Sequence, residues 1–444
     1  MKHNKLVILK DNRVNGTDME YNFIPNLNEH NINITNLAVF HTHIDHYLTK
    51  KYTGEVLENF SDDTLYCYSL EPFGGLGNFL GVSEGYNESF FSKIKSEIKS
   101  LINDKDNFYL LIIWPHEATM GQSELSLLHK KIKESDIKLN KVIFVMNRNW
   151  SLEKDYDIII NNELKIPDFE HMSNDNRIKF VNFDYFLVEK GEEAIKDNFY
   201  TDKSFLTEKR EKNFICLNRR LMFRWHRMFV LMLTNKYNLF EKNLFSYDLL
   251  FEGKSEEMIW NHTPRKMLEY YDLKSLRESW EDLYKNNPQS FLDFKNFHNI
   301  TGFRTEAEEF YKKTYFSLVT ETMFFEGVDF TTEKIFKPIC HYHGFLVLGR
   351  PHTLKKLKEF GFKTFGEFWD ESYDEELDNA NRFKKVYDIF LKINSMDKDE
   401  IHSLYLKMIP ILEHNYNLIT NIGKDKINWY KELENKILSK SNDE

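Results

Sequence analysis

The residues best equipped for chemistry in this 444-residue chain lie between Tyr315 and Phe365, in YFSLVTETMFFEGVDFTTEKIFKPICHYHGFLVLGRPHTLKKLKEFGFKTF. Glu321 ends the β-rich run Tyr315–Thr320, and Thr332-Glu333-Lys334 opens a helix whose apolar residues Ile335, Ile339 and Tyr342 recur at helical spacing. Phe345–Leu348 reads as the next buried strand. Strand, helix and strand in this order predict a parallel βαβ unit, in which ligands sit at the carboxyl ends of the strands and face helix N-termini. Free backbone N–H groups and the positive end of the helix dipole attract a diphosphate there, and Lys334 or Lys337 adds a full charge. Glu321 is placed to accept hydrogen bonds from hydroxyls. The plain alternative for Thr332 and Glu333 is ordinary helix capping.

A second cluster, Asn218-Arg219-Arg220-x(3)-Arg224-x-His226-Arg227, puts four arginines at the end of an apolar strand and on the start of a helix. Arginine stays charged and grips phosphate oxygens with two N–H groups at once, so one or two of Arg219, Arg220, Arg224 and Arg227 are expected on a diphosphate. A solvated helix face is the competing role. Trp114-Pro115-His116-Glu117 follows the apolar strand Phe108–Ile113 and sets a carboxylate and an imidazole at another strand end. Glu117, with His116 second, is the expected base for a proton leaving a hydroxyl; helix capping competes. His41-Thr42-His43-Ile44-Asp45-His46 matches the H-x-H-x-D-H spacing of two-zinc hydrolases. Such centres need further His and Asp ligands on later strands, and the remaining histidines form no such series, so the cluster reads as a ligand-side loop and no metal is assigned. Phe73-Gly74-Gly75-Leu76-Gly77-Asn78-Phe79-Leu80-Gly81 lacks both the G-x-G-x-x-G order and the lysine of a phosphate loop, and reads as a loop lining a cleft.

Glu321, then Thr332-Glu333-Lys334, then a Gly-bounded apolar strand resembles the donor-site signature of the α-1,3-fucosyltransferases and of related viral and bacterial glycosyltransferases. The strand ending in Leu217-Asn218-Arg219-Arg220 before a basic helix resembles the same viral and bacterial enzymes. The resemblance implies two Rossmann-like α/β domains facing a cleft, the GT-B arrangement, with a C-terminal helical tail crossing back onto the first domain. It implies transfer of a hexosyl or fucosyl group from a nucleoside-diphosphate sugar to a hydroxyl of a glycan, a protein or a modified DNA base, with inversion and with no metal or other cofactor required. Glu333 would hold ribose or sugar hydroxyls, and Lys334 would face the diphosphate. The chain departs from the family at Glu321-Thr322-Met323, where Glu-Asn-Ser is usual, and at Phe330-Thr331, where a Tyr is usual; both bear on fucose more than on sugar transfer. A metal-dependent hydrolase built on His41–His46 and a non-catalytic sugar-nucleotide-binding protein are the competing classes.

These residues need a frame, and the chain is long enough for two domains with separate cores. Apolar runs at Leu6–Leu9, Thr64–Ser69, Phe108–Trp114, Lys141–Met146, Asp155–Asn161 and Ile178–Asn182 alternate with polar helical runs such as Glu88–Leu101 and Glu124–Glu134, the pattern of a parallel sheet covered by helices. The polar stretch Lys190–Lys212 reads as a linker. A second series then starts at Asn213–Leu217, followed by a helix from about Leu221 to Tyr237 and a strand at Phe245–Leu250. The expected domains are 1–205 on the acceptor side, 206–400 on the donor side, and a helical tail at 401–444. With 60 Lys and Arg against 70 Asp and Glu, the net charge of −10 disfavours adhesion of the whole surface to nucleic acid or anionic lipid. Three scattered cysteines, Cys67, Cys216 and Cys340, read as buried thiols of a reducing compartment. No run approaches the ~20 apolar residues of a membrane span, and the N-terminal apolar run is short, so a cytoplasmic protein of bacterial or viral origin is expected.

Overall fold

A computed structural model describes residues 3–9, 12–13, 23–24, 27–28, 31–32, 61–70, 79–81, 89–94, 96–114, 122–147, 177–196, 203–218, 221, 224–249, 260, 265–290, 292, 308–324 and 331–442. The chain divides into two compact units, one built mainly from Met1–Tyr185 and Asp425–Glu444, the other from Phe186–Glu326 and Thr331–Lys424.

The main sheet of the first unit has five strands: β1 (Lys5–Leu9), β2 (Thr64–Leu70), β3 (Phe108–Trp114), β4 (Val142–Met146) and β5 (Lys179–Asn182). They pair in the order β1-β2-β3-β4-β5, every pair parallel. The runs TLYCYSL, FYLLIIW and VIFVM are buried at every position, as strands covered on both faces must be. Helices α1 (Ser96–Asp104) and α2 (Gln122–Glu134) send Ile98, Ile102, Leu125, Leu128 and Ile132 into that core. The expected strand at Asp155–Asn161 lies outside the described residues.

The second unit starts within α3 (Tyr185–Lys196). Here the linker reading of Lys190–Lys212 is corrected, since residues 190–196 are helical and Lys190 is only 1% exposed. Its ammonium lies 2.5 Å from Glu193 Oε2, and this pairing is what lets a polar sequence enter a packed interior. Five strands follow: β6 (Lys212–Asn218), β7 (Leu244–Asp248), β8 (Gln289–Ser290), β9 (Thr314–Thr320) and β10 (Gly344–Leu348). Their order is β8-β7-β6-β9-β10, parallel except for the β7–β8 pair. Between them run α4 (Trp225–Lys236), α5 (Arg265–Tyr270), α6 (Leu273–Asn286), α7 (Glu308–Lys313) and α8 (Glu333–Cys340). After β10 come α9 (Thr353–Glu359), α10 (Asn379–Ser395) and α11 (Lys398–Lys424), and the chain returns to the first unit as α12 (Lys426–Asn442). There Lys179 Nζ donates to Lys440 O at 2.7 Å, and the Phe183 and Tyr430 rings stack 5.8 Å apart.

The two sheets differ in one respect that matters for ligands. Among the described strands the first sheet grows in a single direction. In the second, β7 lies on one side of β6 and β9 on the other, so strand order reverses between β6 and β9. The chain leaves the carboxyl ends of strands on either side of such a reversal in opposite directions, and a crevice forms outside those ends.

Candidate anion and hydroxyl site at the second sheet

The crevice is walled by Asn218, the last residue of β6, and by Thr320 and Glu321 at the end of β9. The Thr320 hydroxyl donates to Asn218 Oδ1, which ties the two strand ends together. Each strand is followed by a helix whose N-terminus returns to this edge: α4 after β6 and α8 after β9 and its exit turn.

The α4 end is unusual in its charge. Helix α4 starts at Trp225, not Leu221, so Arg224 is its N-cap, with no side-chain cap bond and no acidic residue in the first turn. Basic residues at a helix N-terminus oppose the dipole, and this turn carries Arg224, His226 and Arg227. Arg227 is 3% exposed and donates from Nη2 to Thr320 O at 2.8 Å. Burial, and then the Arg224 charge, pull its guanidinium down to about 10 although Glu321 supports it. His226 is fully buried and lies with Nε2 3.1 Å from Glu321 O. A carbonyl can only accept, so Nε2 carries the proton and Nδ1 is bare. Burial, reinforced by Arg227, Arg224 and Arg382, holds that imidazole well below its ordinary value and neutral.

At the opposite wall Glu321 is 1% exposed. Its Oε2 accepts from the Thr332 hydroxyl at 2.6 Å and from Thr322 N at 3.3 Å, whereas Oε1 has no hydrogen-bond partner among the described residues. Burial pushes this carboxyl up, against the pull of Lys334 and Thr332. Thr332 is the N-cap of α8 and accepts from Lys334 N at 3.3 Å. Lys334 Nζ reaches Glu333 Oε1 at 2.8 Å. Burial alone would raise the Glu333 carboxyl, but Lys334, Lys337 and Lys190 outweigh it and hold it at about 2. The apolar residue Tyr342 is not part of this helix as its spacing suggested: α8 ends at Cys340, and Tyr342 turns the chain in the left-handed region at φ 55°.

The structure thus brings together Arg224, Arg227, Glu321, Thr332, Glu333 and Lys334, with Lys337 one turn further along α8. Arg219, Arg220, His116, Glu117 and His41–His46 lie outside the described residues. Two residues that sequence reasoning passed over complete the wall. Arg382, 1% exposed, donates from Nε to Gly349 O at 3.0 Å, from Nη1 to Glu376 O at 2.7 Å and from Nη2 to Phe324 O at 2.5 Å. The Phe324 ring stacks on the His226 ring at 4.7 Å and has the Arg382 guanidinium 4.5 Å from its centroid. Neither stands in a motif, since Arg382 acts on backbone carbonyls that only folding collects. Gly349 leaves room for its neighbours: a Cβ there would lie 3.0 Å from Thr353 Oγ1 and 3.1 Å from Val347 Cγ1.

Elsewhere, His352, Asp374 and Glu375 are the described residues whose ligand atoms cluster closely enough for a cation. Asp374 already caps α9, accepting from Leu354 N at 2.8 Å and Lys355 N at 3.0 Å. Cys67, Cys216 and Cys340 are buried and take part in no disulfide among the described residues. No helix among the described residues is long and apolar enough to cross a membrane.

No family model matches the chain, and no curated protein matches it. Among solved structures it is similar to an alpha,alpha-trehalose-phosphate synthase (UDP-forming) from Burkholderia vietnamiensis, at 11% identity over 85% of this chain and 75% of that one, with a TM-score of 0.40. It is similar to an alpha,alpha-trehalose 6-phosphate synthase from Burkholderia multivorans at 10% identity over 99% and 98% of the two chains, with a TM-score of 0.42. A glycosyltransferase from Rickettsia africae ESF-5 aligns at 12% identity over 97% and 99%, with a TM-score of 0.30. Likeness at this level leaves the case for function to the geometry of the site.

Proposed function

We propose that this chain is a glycosyltransferase of the GT-B kind that binds a nucleoside-diphosphate sugar at the carboxyl edge of its second sheet and passes the sugar to an acceptor hydroxyl. One observation carries the reading. At the strand-order reversal, a basic helix start without acidic residues faces a buried carboxylate whose Oε1 makes no hydrogen bond among the described residues. The first half of that pair suits a diphosphate, and the second suits a hydroxyl of ribose or sugar.

In the proposed reaction the acceptor oxygen attacks the anomeric carbon, the bond from that carbon to the diphosphate oxygen breaks, and the acceptor proton passes to a base. Arg224 and Arg227, Lys334 and Lys337, and the N-termini of α4 and α8 supply positive potential for the charge that develops on the leaving diphosphate, the task a divalent ion performs in other transferases. Thr332 orients Glu321 by its 2.6 Å hydrogen bond, and Lys334 exchanges Glu333 for a phosphate oxygen. The base is assigned on sequence grounds to Glu117, with His116 second, and inversion follows from the family that the Glu321 to Lys334 segment resembles.

Thermal denaturation with UDP, GDP, ADP and the matching sugar nucleotides tests the reading. A ligand at 100 times its Kd stabilises the folded protein by about 2.7 kcal/mol. One of these nucleotides should raise Tm, in EDTA as in buffer, and Arg227→Met or Lys334→Met should lower its affinity more at low salt than at high salt. The reading fails if none of them shifts Tm.

A further inference from the structure

We propose that His226 is a positioning residue that sets the distance between the anion-binding start of α4 and the hydroxyl-binding carboxylate of Glu321. This rests on the reading of the site given above.

The case is geometric. Consecutive residues in the first turn of α4 hold consecutive carbonyls at the exit of β9: Arg227 Nη2 holds Thr320 O at 2.8 Å, and His226 Nε2 holds Glu321 O at 3.1 Å. The same imidazole stacks on Phe324 at 4.7 Å with an interplanar angle of 15°. Arg382 lies over that ring at 4.5 Å and donates to the Phe324 carbonyl. Glu321 N donates to Leu348 O at 2.9 Å. The turn 321–324 is therefore fixed at its first residue by β10 and His226, and at its last by His226 and Arg382. His226 joins that turn to α4 itself, whereas Arg382 anchors it from α10.

Among the described residues the charged groups facing the imidazole are Arg227 and Arg224 on its own helix and Arg382 on α10, with the Glu321 carbonyl just past β9 as its polar contact. Burial and these three guanidinium groups outweigh the carbonyl in opposing a second proton, and the donating tautomer persists across neutral pH. A ruler of this kind affects only a ligand that spans both walls. A nucleoside diphosphate does so, through phosphate at one end and ribose hydroxyls at the other; inorganic pyrophosphate occupies the anion end alone.

The test uses the full chain and isothermal titration with UDP, GDP and pyrophosphate. His226→Phe keeps a ring for the stack and loses the N–H; His226→Gln keeps an N–H near the Nε2 position; His226→Leu also lacks the donor and stands in if the phenylalanine variant does not fold. We expect His226→Phe or His226→Leu to weaken the nucleoside diphosphate that binds best by about tenfold, and pyrophosphate by less than twofold. His226→Gln should recover most of the loss. Because the histidine acts through Glu321, combining His226→Phe with Glu321→Gln should weaken binding no further than Glu321→Gln alone. Equal weakening of pyrophosphate, or additive losses in the double variant, overturns the inference. It is likewise overturned if nucleotide affinity is unchanged in a donor-less variant while Glu321→Gln lowers it. If the wild-type chain binds neither UDP nor GDP, the titrations are repeated with ADP and the matching sugar nucleotides, and failure of all of them sinks the parent reading and this one together.

Discussion

Replacing Glu321 by Gln should push stability and binding in opposite directions. In the folded chain Oε2 already accepts from Thr332 and Thr322, while Oε1 is buried without a hydrogen bond among the described residues. A glutamine keeps the accepting oxygen and places an amide where the orphan was, which removes an ionisable group from a site that disfavours its charge. The site disfavours the carboxylate charge, and removing that charge relieves about 1 kcal/mol, which raises Tm by about 2–4 °C for a unit of this size. The sign with pH follows from the raised carboxyl. A folded pKa above the unfolded value favours the folded state below the unfolded pKa, and that advantage is lost as pH rises through the folded value. The gain from Gln should accordingly vanish below the unfolded carboxyl's value and be full once pH exceeds the folded one. Binding should move the other way: an acceptor for hydroxyl donors becomes an amide, with a loss of about 1.5–3 kcal/mol, or roughly 10- to 150-fold in the Kd of a nucleoside diphosphate. Pyrophosphate affinity should stay within twofold. Calorimetry for stability and titration for affinity read the two arms. A lower Tm with unchanged nucleotide affinity would refute the reasoning and make Glu321 a structural carboxylate.

Two further expectations concern the frame. Helices α3 and α11 touch through glycines: a Cβ at Gly423 would fall on the Gly191 carbonyl and 2.7 Å from Glu192 N, and one at Gly191 would lie 2.6 Å from Ile419 O. Gly423→Ala gains about 1 kcal/mol of helix propensity but forces two backbones apart, for about 1–3 kcal/mol of overpacking, so Tm should fall by differential scanning calorimetry; a rise would mean that the helices do not meet there. Acid should also unfold the protein early. His129 and His341 are held at about 3 and His226 and His343 well below the ordinary value, in each case chiefly by burial. The unfolded chain takes up these protons below about pH 6.5 and the folded chain does not, so each histidine removes about 0.8 kcal/mol of stability at pH 6 and about 1.4 kcal/mol at pH 5.5. Urea midpoints from pH 7.5 to 5.5 should fall steadily, and a flat profile would contradict the burial of these rings.

Strands were the most legible part of the fold. FYLLIIW and VIFVM are unbroken apolar runs, and only a strand covered on both faces buries every residue of such a run. Helix limits were less so. The start of α4 was expected at Leu221 and stands at Trp225, because residues 221–237 give one amphipathic pattern whether or not the first turn is helical. The charged stretch from Lys190 looked like linker because its burial depends on pairing with Glu193, which composition does not express.

What the sequence by itself determined is local: a capped helix at Thr332 with Lys334 behind it, a basic helix start after Asn218, and a carboxylate at the end of an apolar run. Each follows from residue types at short spacing, since capping, dipole and periodicity act over a few residues. Only the tertiary structure decided that these pieces share one edge. Residues 218 and 321 are far apart in the chain and meet because β9 pairs with β6 on the side opposite β7, a choice made by the packing of whole strands. Strand pairing also left Glu321 with one oxygen bonded and the other without a hydrogen bond among the described residues, and brought Arg382 and His226 against the Phe324 ring. Burial and hydrogen-bond completion are sums over neighbours from distant segments, and no window of sequence contains them.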